Sequence, residues 1–191
     1  MRKRLGREYF EGLYESSSDP WDFETSDYER RKYERTLSFL EGERFRRALE
    51  AGCSIGVFTR MLAPLCDALV AVDVSERAVE SAKSRLEDHQ NVVVERRTLP
   101  EEMPEGRFDL ILASEVLYYL TEPEMLETLG LFEDALSPGG TLIAVHWRKE
   151  TKTYPLQGDE VHELLLEHTR LIPTASAVEP EYRIDLLEDR T

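Results

Sequence analysis

One stretch constrains the fold of this chain more than any other: Arg47 to Arg60, reading RALEAGCSIGVFTR. Ala48 to Ala51 has the look of a short buried strand, closed by Glu50. Gly52 and Gly56 frame a tight turn, and Val57 to Leu62 opens a helix. A strand, a glycine turn and a helix start bring backbone N–H groups close to a ligand. Glycine is wanted there because a side chain would block the approach or forbid the dihedral angles. The turn does not fit two common phosphate-binding loops. G-x-G-x-x-G would need glycines where Ser54 and Val57 stand, and the chain has no G-x-x-x-x-G-K-[ST] run.

The next segment narrows the ligand. Ala68 to Asp73 reads ALVAVD, an apolar run expected of a strand buried on both faces. Asp73 ends it, where an acidic residue can accept hydrogen bonds from both hydroxyls of a ribose. Ser75 is a good N-cap for the following helix, so Asp73 is not needed in that role. An acidic residue followed by x-G-x-S-x-G resembles the first motif of class I S-adenosylmethionine (SAM)-dependent methyltransferases. Ser54 replaces the middle glycine of that motif.

Strands and helices alternate along the rest of the chain. Residues 1–15 carry Tyr9, Phe10, Leu13 and Tyr14 at helical spacing, and Ser16 to Asp22 is a turn-rich break holding Trp21. A second helix begins at a Ser26 or Asp27 cap and carries the basic cluster Arg30, Arg31 and Lys32. One of these arginines is placed to face a ligand carboxylate, which a guanidinium binds bidentately; a solvated face is the plainer reading. Glu76 to Leu86 is an amphipathic helix, and Asn91 to Arg97 a third strand. Phe108 to Ala113 is a fourth strand, Pro123 to Leu136 a helix ended by Pro138, Gly139 and Gly140, and Thr141 to Trp147 a fifth strand. A helix from Asp159 to His168 precedes two strands, about 170–177 and 182–187, whose short connection implies an antiparallel pair. The expected fold is therefore α/β: a doubly wound, Rossmann-like seven-stranded sheet, mostly parallel, with an antiparallel C-terminal hairpin. That hairpin is what separates the class I methyltransferase fold from a dinucleotide-binding one.

With 191 residues the chain is expected to form a single domain. Residues 1–43 make an N-terminal helical lid segment and 44–191 the α/β core. The formal net charge of -15 repels phosphate backbones, so nucleic acid is an unsuitable partner. Ser114–Glu115–Val116–Leu117 also stands where nucleic-acid methyltransferases carry [ND]-P-P-[YFW]. No apolar run approaches the length of a membrane span, and MRKRLGREYF has no apolar core for a signal peptide. Cys53 and Cys66 show no metal spacing and read as reduced residues of a cytoplasmic protein.

A closer resemblance covers nearly the whole chain. YFEGLY, DPW, YERRKYERTL, EAGCSIGVFTRMLA, VAVDVS and FDLILASEVLYYL together resemble the nodulation protein S (NodS) family. Proteins of that family transfer methyl from SAM to the free amine of a deacetylated chitooligosaccharide, leaving S-adenosylhomocysteine (SAH). The resemblance implies that Trp21 and Arg31 close over the cofactor. It also implies that Gly52, Ser54, Asp73, Val74, Leu99 and Ser114 line its pocket. Gly56 belongs to the same cofactor turn, and Thr98 and Leu99, just past the third strand, are placed to touch the adenine.

Methyl transfer chiefly demands alignment of nucleophile, methyl and sulfur. An amine acceptor must also lose a proton. Glu115, Tyr119 and His146 are the candidates, all from the ends of the fourth and fifth strands. Each has a plainer reading: Glu115 as a hydrogen-bond partner of a backbone N–H or the N-terminal arm, His146 as a residue with no titrating role. Tyr118, Trp147, Tyr154 and Trp21 can form a platform for a sugar face or can be core packing. Three readings stand: a methyltransferase acting on a sugar amine, one acting on another small-molecule acceptor (carboxylate, hydroxyl or thiol), and a SAM-binding protein without turnover.

Overall fold

The computed structural model describes residues 2–190, so residues 1 and 191 of the expected domain lie outside the described part. Two helices come first, α1 (Arg7–Ser16) and α2 (Asp27–Ser38). The Ser26 side chain caps α2 by accepting the Glu29 N–H at 3.2 Å. The alternating unit follows: β1 (Ala48–Ala51), α3 (Val57–Leu62), β2 (Leu69–Asp73), α4 (Glu76–Arg85), β3 (Val92–Arg96) and β4 (Phe108–Ser114). It continues through α5 (Glu122–Ala135), β5 (Leu136–Trp147), α6 (Gly158–His168), β6 (Ile172–Val178) and β7 (Tyr182–Glu188).

The seven strands form one sheet in the order β3-β2-β1-β4-β5-β7-β6. The first five are parallel, and β7 runs antiparallel to both β5 and β6. Strand order reverses between β1 and β4. In open α/β sheets that switch point leaves a crevice at the carboxyl ends of the strands.

Side chains along the central strands alternate between two apolar layers. Leu49, Ile111 and Leu142 pack with Met125 and Phe132 of α5 and with Val161 and Leu165 of α6. Leu110, Leu112 and Ile143 pack with Tyr33 of α2 and with Phe58 and Leu62 of α3. Coverage of both faces explains why these strands read as unbroken apolar runs.

Most boundaries fall within two residues of the sequence expectation, and the start of β5 differs by five. β5 begins at Leu136, which still pairs with Phe108, and the ladder then jumps to Leu110 with Thr141. Ser137–Gly140 bulges out of register there, with Gly139 at φ +77°. The Pro–Gly–Gly run interrupts the strand rather than preceding it. Among the described residues, no helix is long and apolar enough to cross a membrane.

Candidate active site

A cavity of about 420 Å³ opens at the carboxyl ends of β1, β2, β4 and β5, covered by α1, α2 and the segment between them. Small-molecule and cofactor sites typically occupy roughly 300–1,000 Å³.

The glycine turn forms one end. Gly52 has φ +78°, and a Cβ there would meet Val116 Cβ at 2.9 Å. Only glycine satisfies both the dihedral and the contact. Ser54 also adopts the left-handed region, at φ +51°. Its N–H donates to Asp73 Oδ2 at 2.9 Å, and its hydroxyl lies 2.5 Å from the Tyr14 hydroxyl of α1. Asp73 Oδ1 accepts the Ser75 N–H at 2.9 Å. Burial raises the Asp73 pKa, with the Ser75, Ser54 and Val74 backbone donors working against it. Glu50, at the end of β1, is 2% exposed and borders the same space. Its Oε2 has no hydrogen-bond partner among the described residues. Burial pushes its carboxyl up to about 8, with Thr59 opposing and the Asp73 charge adding.

The other end is lined by charge and aromatic rings. Lys32 of α2 is 2% exposed, and its Nζ stands 2.6 Å from Glu115 Oε1 and 2.8 Å from Glu29 Oε2. Burial works against the ammonium, but Glu115 and Glu29 outweigh it and hold the lysine pKa above its ordinary value. Burial raises the Glu29 carboxyl, with Lys32 opposing. Glu115 has φ +54°. Its Oε2 accepts the Trp147 N–H at 3.0 Å and the Tyr118 hydroxyl. Two carboxylates thus share one ammonium, a net charge of about -1 when all three are ionised. The Tyr28 hydroxyl is buried at this wall without a hydrogen-bond partner among the described residues. Its ring meets Trp147 edge-on, with centroids 5.8 Å apart. Tyr118, Tyr119 and Tyr154 pack on one another with centroids 4.6–4.9 Å apart.

Of the residues singled out from sequence, Trp21, Gly52, Ser54, Asp73, Val74, Thr98, Leu99, Ser114, Glu115 and Tyr119 all border the cavity. Three do not. Arg31 is exposed, because Glu29, Lys32, Tyr33 and Thr36 form the buried face of α2 and each successive residue turns by about 100°. Lys32 reaches the cavity in place of an arginine. Gly56 is the left-handed N-cap of α3, and a Cβ there would meet Ala82 Cβ at 3.0 Å, so it serves the packing of α3 on α4.

His146 is fully buried behind the wall. Its Nε2 accepts the Leu117 N–H at 3.2 Å, and its Nδ1 lies 3.2 Å from His162 Nε2. His162 Nδ1 is 2.6 Å from Asp185 Oδ2. Burial drives the His146 pKa well down, helped by His162 and Lys32, so the ring is neutral. Burial also lowers His162 despite Asp185. The Asp185 carboxyl resists burial and stays below the usual carboxylate range because His162, Ser176 and Arg183 favour its charge.

Sequence reasoning missed Tyr14, Tyr28, Glu29 and Lys32. For Tyr28, Glu29 and Lys32 the signal was the spacing of 28, 29, 32, 33 and 36 after a Ser26 cap, which marks one face of a helix, and for Tyr14 it was the i, i+4 spacing from Phe10 on α1.

Comparison with known proteins fits this architecture. The family model for nodulation protein S (NodS) matches residues 13–154. Nodulation protein S of Bradyrhizobium diazoefficiens is 38% identical over 128 residues, covering 65% of this chain and 61% of that protein. The chain thus spans about three fifths of the length of that curated relative. A solved protein from Pseudomonas syringae is 39% identical with a TM-score of 0.75, over 84% of this chain and 98% of that one. The N-methyltransferase NodS from Bradyrhizobium japonicum WM9, solved in complex with SAH, is 25% identical with a TM-score of 0.84. That alignment covers 94% of this chain and 99% of NodS. The fold is that of the class I Rossmann-like methyltransferases, and the chain belongs to the nodulation protein S (NodS) family.

Proposed function

We propose that this chain is a SAM-dependent methyltransferase whose acceptor is an amine on a sugar or oligosaccharide. The observation that carries the reading is one cavity with two chemically different ends. At one end Glu50 and Asp73 flank the Gly52–Ser54 turn. At the other, Glu29 and Glu115 share the Lys32 ammonium beneath aromatic rings.

The first end suits SAM on the chemistry of its donors and acceptors. The buried, unpartnered Glu50 Oε2 fits the cationic amino group of the methionine moiety. Asp73 fits the ribose hydroxyls, Thr98 and Leu99 border the adenine side, and Trp21 covers the opening. SAM supplies a methyl group activated by its sulfonium, so the chain's own task is positioning. Side chains of the N-terminal segment 1–43, from Arg4 to Tyr33, line one side of the space. Tyr14 bonds Ser54, and the Leu5 N–H donates to the Tyr119 carbonyl at 3.0 Å. We read this segment as the lid.

The second end suits an amine. Its net negative charge attracts a cation, and rings surrounding such a site add cation–π attraction. The same rings offer an apolar wall to a sugar face, and the unpartnered Tyr28 hydroxyl can serve a sugar hydroxyl. Glu115 is occupied by Lys32, Tyr118 and the Trp147 N–H. Glu29 faces the cavity with Lys32 as its ion-pair partner, and burial raises its carboxyl pKa, which suits it to accept a proton. The N-methyltransferase named above supports the amine, and the strongly acidic chain argues against nucleic acid.

The test is turnover of methyl-labelled SAM against glucosamine oligomers, simple amines, carboxylic acids and phenols. Label in a glucosamine oligomer, lost in Asp73→Ala, is the expected result. Label only in an acid or a phenol discards the amine. SAM binding without transfer to any of them favours a binding protein.

A further inference from the structure

Behind the acceptor end lies a chain of buried polar groups that never touches the cavity. It runs from the Leu117 N–H to His146 on β5, His162 on α6 and Asp185 on β7. His146 and His162 are fully buried, and Asp185 is 2% exposed. A buried polar chain of this kind is stable only when every donor meets an acceptor.

That condition fixes every proton. The Leu117 N–H can only donate, so His146 Nε2 must accept and carries no proton. The neutral ring then holds its proton on Nδ1 and donates it to His162 Nε2. His162 in turn holds its proton on Nδ1 and donates to the Asp185 carboxylate. Arg183 Nε lies 2.8 Å from the same Asp185 oxygen. Reversing the His146–His162 bond would set His146 Nε2–H against the Leu117 N–H, and reversing the His162–Asp185 bond would set His162 Nε2–H against His146 Nδ1–H.

Leu117 begins the short helical turn Leu117–Tyr119. That turn follows directly on Glu115 and carries Tyr118 and Tyr119, all three of which line the cavity. The His146 ring also packs edge-on against Tyr118, with centroids 5.1 Å apart.

We propose that His162 and Asp185 are positioning residues: acting through the fixed tautomer of His146, they set the Leu117 turn and so the placement of Glu115, Tyr118 and Tyr119. Their relevance to turnover rests on the acceptor reading above. The tautomer and the turn do not, and can be measured without any substrate.

The test is nitrogen and proton NMR of the full chain with labelled histidines. In the wild type His146 should carry its proton on Nδ1, and the Leu117 amide should show a hydrogen-bonded shift. His162→Gln keeps the polarity, since a glutamine oxygen can accept from His146 and its amide can donate to Asp185. It should retain both signals. His162→Leu removes the acceptor, so the His146 tautomer, the Leu117 amide and the Tyr118 and Tyr119 rings should all shift together. With glucosamine oligomers as acceptor, His162→Leu should lower kcat/KM roughly 10- to 100-fold, the usual effect of misplacing a reacting group. SAH affinity should stay unchanged, and His162→Gln should restore turnover. A wild-type His146 protonated on Nε2 overturns the proposal, and this reading needs no variant to fold. So does a His162→Leu variant with unmoved His146, Leu117 and ring signals. Absence of transfer to glucosamine in the wild type would count against the acceptor reading and leave the NMR result to decide this one.

Discussion

Glu50 should make cofactor binding release a proton. Its carboxyl is buried, has an unpartnered Oε2 at the cavity wall, and is pushed up to about 8. At pH 7 a group with that pKa is about nine-tenths protonated. An ammonium arriving beside it favours the carboxylate and drives the pKa down. Binding of SAH at pH 7 should therefore release most of one proton from this one group. The assay is titration calorimetry at pH 7 in buffers of different ionisation enthalpy, where the slope of apparent enthalpy counts protons. Glu50→Gln removes the source, so its slope should fall by that amount. A charge-assisted hydrogen bond is worth about 1.5–3 kcal/mol. The same variant should thus bind SAH roughly 10- to 150-fold more weakly. A wild-type slope near zero, or a Glu50→Gln slope equal to the wild type's, would show that Glu50 does not meet the amino group.

Gly52→Ala should destabilise the protein by about 2–5 kcal/mol in urea unfolding, since it adds a left-handed strain to an overpacked contact with Val116. Near-equal midpoints would contradict the turn geometry. Lys32→Met leaves Glu29 and Glu115 uncompensated and should cost about 3–5 kcal/mol, partly recovered by adding Glu29→Gln. A loss within about 0.5 kcal/mol, typical of surface sites, would refute the buried pairing. The folded pKa of His162 lies below its unfolded value, so its contribution to stability is present above about pH 6.5 and fades as pH falls. The stability advantage of the wild type over His162→Gln should shrink by up to about 1.4 kcal/mol per pH unit below that point. A constant difference between pH 7.5 and 5.5 would sink this linkage.

Local chemistry made much of the fold readable. Apolar runs ending at Ala51, Asp73 and Ala113 marked buried strands, and Ser26 and Ser75 marked helix starts. The start of β5 escaped because Pro138, Gly139 and Gly140 signal a break. The ladder nevertheless resumes pairing on both sides of the bulge. Within the site, residues were legible where the backbone itself makes the contact, as at Gly52, Ser54 and Asp73. In the basic cluster Arg30–Arg31–Lys32, bidentate carboxylate chemistry and the family resemblance point to an arginine, whereas the helical spacing shared with Glu29, Tyr33 and Thr36 turns Lys32 inward. Long-range pairing was not legible at all. Lys32 and Glu115 are 83 residues apart in sequence, and His162 meets Asp185 23 residues away. Nothing local in the sequence of His146 shows that α6 will cover it.

The most direct measurement compares two acceptors that differ in one group. Methyl-labelled SAM would be supplied with a glucosamine oligomer bearing free amines and with its fully N-acetylated counterpart. A cavity that holds SAM beside Glu50 and Asp73 and an amine beside Glu29 and Glu115 predicts label on nitrogen in the first and none in the second. Equal labelling of both, or none in either while SAH binds tightly, would contradict it.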